Sequence, residues 1–363
     1  MKITCNSNNY GDIMYIKSFK YEDGGWNLET IYFNKQNLIV GKNSVGKSKT
    51  LNALVEVAKF IRGEVSVNST PYKCSIVFAD ANGKEIAYSY SCTNKDIESE
   101  NMSVDGKSII ERDSSNSILD KDTINPPTNK LIIQTQRDTN KFPEFEIVIN
   151  WAEHTRGFSF SDLSSTYSFT VPSMFKEAML FDDLFDKIEK SKQDYIKNTM
   201  RELGYKISKI GNINLQQSKL YYINEEGVSP YLIPSIMSNG MLRVFYVLTY
   251  MAYVATVEGA KTFLVDDLGE GLDFSRSSRL SKIMFDYCEE HDIQLIVTSN
   301  DNFLLNAIDL NNWIILQRNG KEVSTYSYNT HPDMFIKFRK MGLNNFDMLS
   351  TDYLDRFILE SKK

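Results

Sequence analysis

The sequence predicts an α/β fold in which a mixed, partly parallel sheet carries helices on both faces, and three patterns support this prediction. Apolar runs expected to be strands, at residues 261–265 and 293–298, alternate with helical segments. The hairpin signals Asn82-Gly83 and Asp105-Gly106 predict an antiparallel β insert after the first helix. A glycine-rich loop joins a short apolar strand at residues 36–40 to an amphipathic helix.

This glycine-rich loop, residues 41–48, fits the phosphate-binding pattern GxxxxGK[ST] at every fixed position. Its two glycines allow successive amides to point at a phosphate, and the positive end of the following helix adds to that field. Lys47 is expected to reach the β- and γ-phosphates, and the Ser48 hydroxyl is expected to ligate Mg²⁺. A chance match in a surface turn is the alternative, but the flanking strand and helix favour a nucleotide site. Contacts with the nucleotide are predicted for Gly41, Asn43, Ser44, Gly46, Lys47, Ser48 and Lys49.

The amino-acid composition limits the classes of protein to which the chain can belong. The 363 residues, 42% hydrophobic and 24% charged, suit one large globular domain or two. A net charge of −6 means that nucleic-acid binding would require a local basic patch. The cysteines form no CxxC pair, which argues against a disulfide framework or structural zinc and favours the cytoplasm. No signal peptide is visible, and the most apolar run, residues 244–257, is too short for a membrane span and is expected to be a buried helix.

A carboxylate pair ends the strand predicted at residues 261–265. Magnesium–nucleotide chemistry requires a hard oxygen ligand at such a position beside the phosphate loop, and Asp266 is the candidate. Asp267, the next residue, would lie where a carboxylate can orient or deprotonate the attacking water. Many parallel strands end in aspartate, so the pattern becomes specific only in combination with the phosphate loop upstream.

Four motifs together resemble the ABC/SMC class of ATPases. They are the phosphate loop, the signature-like Met237-Ser238-Asn239-Gly240-Met241, the strand and carboxylates at residues 263–267, and Glu270-Gly271-Leu272-Asp273, which resembles a D-loop. Within that class, the β insert, the S-x-G-M-x-R form of the signature and the short tail resemble bacterial AAA-type ATPases of the overcoming-lysogenization-defect group. The resemblance implies a P-loop NTPase fold of ABC/SMC type with ATP and Mg²⁺ as cofactors. Stand-alone members of that group are often paired with an effector in anti-phage defence.

The resemblance also implies a dimer with composite ATP sites. Ser238 and Gly240 of one protomer would close on the γ-phosphate held by Lys47 and Ser48 of the other. A glutamine that follows the strand predicted at residues 131–133 would contact Mg²⁺ or the attacking water. Gln134 is the first choice for this role because it directly follows the strand, and Gln136 is the alternative.

The sequence departs from the class pattern at three positions. Asp267 replaces the usual catalytic glutamate and is one methylene shorter. Asn300 stands where a switch histidine is usual, and it can hydrogen-bond a γ-phosphate but cannot titrate near neutrality. The signature carries Asn239-Gly240-Met241 in place of Gly-Gly-Gln. These changes predict slow hydrolysis, with a catalytic set of Lys47, Asp267 and Asn300, and leave open a nucleotide-gated clamp that barely turns over.

Three segments are expected along the chain: an N-terminal ATPase lobe at 1–173, a helical arm or insert at 174–210, and a C-terminal ATPase lobe at 211–363. The middle segment carries an apolar stripe and a charged face. It is either a helix packed on the main body or a lid that binds a partner.

The function favoured by these features is an ATPase that dimerises or assembles around ATP and regulates a separate effector, a nuclease or a toxin, in anti-phage defence. A DNA-repair or chromosome-associated SMC-type ATPase is an alternative, with DNA contacted by Lys187, Lys190, Lys192 and Lys197. A transporter domain is disfavoured by the β insert and the unusual signature, so no membrane partner is expected. A nucleotide-binding scaffold with little turnover is the remaining alternative.

Overall fold

The structure is a computed structural model that describes residues 14–67, 72–93, 96–160, 181–214, 219–228 and 231–361. Its strands are β1 (Tyr15–Glu22), β2 (Asn27–Tyr32), β3 (Gln36–Val40), β4 (Tyr72–Ala79), β5 (Glu85–Thr93), β6 (Asp96–Val104), β7 (Lys107–Arg112), β8 (Ser117–Leu119), β9 (Asp122–Thr123), β10 (Arg156–Ser159), β11 (Ile207–Asn214), β12 (Lys219–Glu225), β13 (Thr262–Asp266), β14 (Gln294–Thr298), β15 (Trp313–Asn319) and β16 (Glu322–Ser327). Its helices are α1 (Lys47–Ile61), α2 (Ile132–Thr135), α3 (Pro143–His154), α4 (Phe181–Lys187), α5 (Lys190–Glu202), α6 (Asn239–Val254), α7 (Phe274–Glu290), α8 (Asn302–Ala307), α9 (Pro332–Lys340), α10 (Asp347–Ser350) and α11 (Tyr353–Ser361).

Within these ranges, fourteen strands form one sheet in the order β10-β13-β14-β3-β15-β16-β2-β1-β4-β5-β6-β7-β8-β9. The five strands from β10 to β15 are parallel to one another, β15 pairs antiparallel with β16, and β16 pairs parallel with β2. The strands from β2 onward in this order pair antiparallel and include the β insert between α1 and α2. The mixed α/β sheet is therefore confirmed, as are the hairpins around Asn82-Gly83 and Asp105-Gly106.

The central parallel strands are buried on both faces. Every residue of β3, β13 and β14 is buried, as expected for parallel strands covered by helices on each side. Alternate side chains of β3 enter two cores: Leu38 and Val40 pack with α6 and α7, and Ile39 packs with α1 and α3. β3 is parallel to its neighbours β14 and β15, so the phosphate loop that follows it lies at the carboxyl-terminal edge of the parallel strands.

The apolar run near the signature is the buried helix α6, as predicted. None of the described helices combines the length and the apolar character that crossing a bilayer requires. The charged block before it is packed on the main body: Leu184, Ile196 and Met200, from α4 and α5, are buried in the same core as α6. Residues 174–180 of the predicted arm lie outside the described residues.

The strand predicted at residues 131–133 is wrong, because these residues lead into and begin the short helix α2. Its first amides donate to a side chain of the β insert: Ile132 N to Glu100 Oε2 at 2.6 Å and Ile133 N to Glu100 Oε1 at 3.3 Å. An apolar triplet does not distinguish a strand from a buried helical turn. A carboxylate 32 residues away in sequence stabilises the helical form.

Glu100 and Arg112 form a buried ion pair in the β insert, with 3.8 Å between Arg112 Nη1 and Glu100 Oε2. Glu100 is fully buried, and burial raises the pKa of its carboxyl to about 7 although Tyr88 and the α2 amides donate to it. Arg112 also donates to the carbonyls of Lys130 and Pro127 at 2.8 and 3.1 Å. The pair therefore fastens the strands of the insert to the chain that enters α2.

Residues 113–129 are mostly exposed, and they contribute β8 and β9 to the edge of the sheet.

Candidate nucleotide-binding site

The phosphate loop turns sharply between β3 and α1, and both of its glycines are required by close contacts. Gly41 has φ 153°, and a Cβ there would lie 2.6 Å from the carbonyl oxygen of Leu316. Gly46 has φ 109°, and a Cβ there would lie 2.9 Å from Nε1 of the buried Trp26. Any larger residue at either position would have to displace β15 or the tryptophan, so the loop path depends on glycine.

The loop presents the N-terminus of α1 as an anion site. Gly46 is the N-cap residue of this helix of 15 residues and supplies no side-chain cap. The first amides of the helix are thus available to a ligand, and the helix dipole favours an anion there. Ser44 has a left-handed backbone with φ 64°, which fits the alternating conformations of a phosphate-binding nest.

Lys47 lies inside this loop rather than in solvent. It is 7% exposed, and its Nζ donates to the carbonyl oxygens of Gly41 and Lys42 at 3.1 and 3.3 Å. Burial lowers the pKa of the Lys47 ammonium below its ordinary value, while the carboxylates of Asp267 and Asp266 act in the opposite direction. The predicted phosphate-binding lysine and the predicted carboxylates are therefore brought together.

Asp266 ends β13 and is 6% exposed. Thr298, at the end of the neighbouring β14, donates its hydroxyl to Asp266 Oδ1 and accepts the backbone N–H of Asp267 at 2.9 Å. Asp267 itself has a left-handed backbone with φ 53°, which turns the chain away from the strand direction. Sequence reasoning missed Thr298, whose one signal is its position at the carboxyl end of the adjacent parallel strand.

Asn300 reaches the phosphate loop from the segment after β14. Its Nδ2 lies 3.3 Å from Asn43 Oδ1. An amide side chain is thereby placed beside the loop where the resemblance put a switch residue.

Ser238 and Gly240 begin the signature helix α6. Ser238 is exposed and caps the helix, its Oγ accepting the Met241 N–H at 3.3 Å, which leaves its own O–H free to donate elsewhere. A Cβ on Gly240 would lie 3.2 Å from the Gly271 carbonyl oxygen, so the signature packs against the D-loop-like segment (residues 270–273) of the same chain.

Lys49 follows the loop on the outer side of α1. Its Nζ lies 2.7 Å from Asp23 Oδ2 and 5.0 Å from the centroid of the Trp26 ring. Trp26 is 1% exposed and packs against Gly46 of the loop, so its ring belongs to the core and is not available to stack on a base. A nucleotide contact by Lys49 stays a prediction.

The assignment of Gln134 to magnesium is wrong in this structure. Its Nε2 donates to the carbonyl oxygens of Phe60 and Ile61 at 2.6 and 3.1 Å, where it caps the C-terminal end of α1. Ser48 is at the opposite end of that helix, about 20 Å away at 1.5 Å per residue. Gln136 lies two residues further along, at the same distant end. The prediction failed because it assumed that residues 131–133 were a strand, whereas they lead into the helix α2.

The strand beside β13 is instead β10, in which Ser159 is the register partner of Asp266. The next amide, Phe160 N, donates to the Asp266 carbonyl oxygen at 3.0 Å. Sequence reasoning missed this strand, whose four residues carry little apolar periodicity.

These residues fit a magnesium–nucleotide complex. A nest of amides and a buried lysine suit the phosphates, and the Ser48 hydroxyl with the Asp266 carboxylate supplies the oxygen ligands that Mg²⁺ prefers. Asn300 lies beside the loop at Asn43, and Asp267 directly follows Asp266 at the end of β13.

Comparisons with solved structures identify proteins of similar fold. The structure is similar to an SMC head bound to the C-winged helix domain of ScpA, with a TM-score of 0.56, 12% identity, and coverage of 87% of this chain and 99% of that one. It is also similar to an SMC head domain with an extended coiled coil bound to the C-terminal domain of ScpA from Pyrococcus furiosus (TM-score 0.50, 11% identity, 90% and 100% covered). For the SMC head domain from Thermotoga maritima, the TM-score is 0.49, with 13% identity and coverage of 86% and 98%.

No curated protein sequence matches the chain. Residues 37–306 match the sequence profile of the family described as "AAA domain, putative AbiEii toxin, Type IV TA system", a match that runs from β3 through the phosphate loop to α8. The chain therefore belongs to this family of AAA domains and has the P-loop NTPase fold of SMC heads.

Proposed function

We propose that the protein binds and slowly hydrolyses Mg·ATP in a homodimer with two composite sites, and that this cycle regulates a partner effector. The observation that carries the proposal is the burial of Lys47 inside the phosphate loop, at the same edge of the parallel strands β3, β14 and β13 as Asp266 and Asp267. A surface turn would leave such a lysine in solvent.

Each residue of the chain has a distinct task in this proposal. Lys47 and the α1 amides hold the phosphates, and bound Mg²⁺ supplies charge neutralisation there. Asp267 orients the attacking water and accepts its proton, in a position set by the Thr298 hydroxyl. Asn300 donates to the terminal phosphate without titrating near neutrality. The shorter acid and the non-titrating amide support slow turnover.

Exposed apolar side chains next to the site support a second protomer. Ile236 precedes the signature, Phe274 follows the D-loop-like segment and Phe303 follows Asn300, and they are 59%, 58% and 49% exposed. The rings of Phe274 and Phe303 lie 4.3 Å apart. Exposed aromatic groups of this kind are typical of interaction surfaces. A partner copy that brings its Ser238 to the bound nucleotide would cover them.

The effector and the defence role rest on the family description and the resemblance. The description names a putative toxin of a type IV toxin–antitoxin system, which supports pairing with a second component in bacterial defence. The two SMC heads solved with domains of ScpA show that this fold can dock a protein partner. The DNA-associated alternative is weakened, because Lys190 and Lys197 of its basic patch share one acid, Asp194, at 3.8 and 3.5 Å.

Replacing Asp267 by asparagine tests the proposal. Wild type is expected to turn over Mg·ATP, and Asp267→Asn is expected to bind ATP but lose at least about 100-fold in turnover, because it can no longer accept the proton of the water. The variant should then accumulate as an ATP-bound dimer or larger assembly. ATP turnover and solution mass with and without Mg·ATP measure both effects. If wild type shows neither ATP turnover nor an ATP-dependent increase in mass, the ATPase proposal is rejected in favour of a nucleotide-binding scaffold.

The double substitution Phe274→Ser and Phe303→Ser tests the self-interface. The dissociation constant of the ATP-bound dimer is expected to rise at least about tenfold, because an aromatic anchor is lost, while ATP binding to the protomer stays unchanged. Sedimentation of the Asp267→Asn background in Mg·ATP gives the measurement. Leu359→Ser, at a side chain 65% exposed on α11, is the control and should leave the dimer intact. If both variants dimerise equally well, Phe274 and Phe303 are not part of the dimer interface.

A further inference from the structure

Arg243 is a buried cation of the signature helix; it is the arginine of the S-x-G-M-x-R pattern, and no role has been given to it above. It lies one turn after Gly240 and is 8% exposed. Its Nη1 donates to the backbone carbonyl oxygen of Glu270 at 2.8 Å, while its buried Nε has no hydrogen-bond partner. A buried guanidinium that is only partly satisfied contributes little to stability, because the cost of desolvating it is not offset. Its position therefore calls for another explanation.

The guanidinium is enclosed by the D-loop-like segment. Gly271 has φ 74°, and a Cβ there would lie only 2.0 Å from Arg243 Nη1. Gly240 approaches the same segment from the start of the helix, where an added Cβ would lie 3.2 Å from the Gly271 carbonyl oxygen. Two contacts one helical turn apart thus join the signature helix to residues 270–271.

A partner protomer would contact both of the segments that Arg243 joins, the start of α6 and the D-loop-like segment. Ser238 and Glu270 are both exposed, at the start of α6 and in the D-loop-like segment. The segment begins three residues after Asp267, and the Glu270 N–H donates to the Asp267 carbonyl oxygen at 3.1 Å. Arg243 therefore holds together two exposed segments that a partner protomer would contact.

We propose that Arg243 is a positioning residue that makes the signature helix and the D-loop-like segment one rigid unit, which completes the ATP site of the opposite protomer. This role rests on the composite ATP site proposed above. It predicts that loss of Arg243 leaves folding and nucleotide binding intact but damages the ATP site of the opposite protomer, to which this chain contributes its signature and its D-loop-like segment.

The first experiment compares wild type, Arg243→Met and Arg243→Lys. Methionine fills a similar volume without a charge, so its thermal unfolding midpoint and ATP affinity are expected to equal those of wild type. Its ATP turnover is expected to fall at least about tenfold, with a partial recovery in Arg243→Lys, which retains a cation and a donor. Gly271→Ala, which pushes on the guanidinium from the other side, should reproduce the loss independently.

The second experiment is subunit mixing, which a merely structural role would not affect. Arg243→Met and Asp267→Asn are each expected to have low turnover alone. In an equal mixture about half of the dimers pair the two variants, and each such dimer has one site with an intact Asp267 from one chain and an intact signature from the other. About a quarter of wild-type turnover should return.

The outcomes separate this inference from the function on which it rests. Wild type without ATP turnover overturns both. Active wild type with equally active Arg243→Met and Gly271→Ala overturns the inference alone. Lys47→Ala mixed with Asp267→Asn should regain no turnover, because both residues belong to the same half of the site. If inactive Arg243→Met likewise gains nothing from mixing with Asp267→Asn, Arg243 acts in its own protomer's site and the inference alone is overturned.

Discussion

Lys47→Ala is expected to lower ATP turnover by at least about 100-fold and to weaken ATP binding, because the phosphates lose their buried cation. Removal of this lysine also leaves the carbonyl oxygens of Gly41 and Lys42 without the donor that orders the loop. Isothermal titration with ATP and a turnover assay measure the two effects separately.

Lys59→Ala is the matched control for Lys47→Ala. Lys59 lies on the same helix, near its far end, and pairs with Glu56 at 3.1 Å. Its removal should leave both ATP binding and turnover at wild-type values. Comparable losses in the two variants would mean that Lys47 acts through the helix rather than on the nucleotide.

Arg112→Met is expected to lower the free energy of unfolding by about 3–5 kcal/mol, because it leaves the Glu100 carboxylate buried without its cation. The carbonyls of Lys130 and Pro127 lose their donor at the same time. Urea denaturation of both proteins at pH 8, above the pKa of about 7 that Glu100 has in the wild type, gives the measurement.

Arg339→Met provides the comparison for Arg112→Met. Arg339 also pairs with a carboxylate, that of Asp309, at 2.7 Å, but both side chains are exposed, by 40% and 62%. Water can replace the partner there, so the loss should stay below about 1 kcal/mol. If the two variants are equally stable, burial of the Glu100–Arg112 pair has no energetic weight.

Local patterns were sufficient for the phosphate loop. Its function requires particular residues at consecutive positions, Gly46 and Lys47 above all, and the flanking apolar periods of β3 and α1 show the turn that holds them. The same holds for Asp266 and Asp267, because the change from an apolar run to two carboxylates marks the end of a buried parallel strand. Neither inference needed a distant partner.

Roles that depend on contacts between residues far apart in the sequence were assigned wrongly or were missed. Gln134 was assigned to magnesium from the three apolar residues before it, but Glu100 of the β insert turns them into a helix and the glutamine caps α1. Thr298, which holds Asp266 and the Asp267 amide, is 31 residues from Asp267 in sequence. No periodicity links residues that meet only because β13 and β14 are neighbours.

The class of fold, the phosphate loop, its lysine and the two strand-end carboxylates follow from the amino-acid sequence, since each depends on short-range backbone geometry and apolar periodicity. The partners of those groups follow only from the tertiary structure: Thr298 for the carboxylates, Asn300 for Asn43, and Glu270 for Arg243. The physical reason is that these hydrogen bonds join separate strands, helices and loops, and chain packing alone decides which of them come within reach.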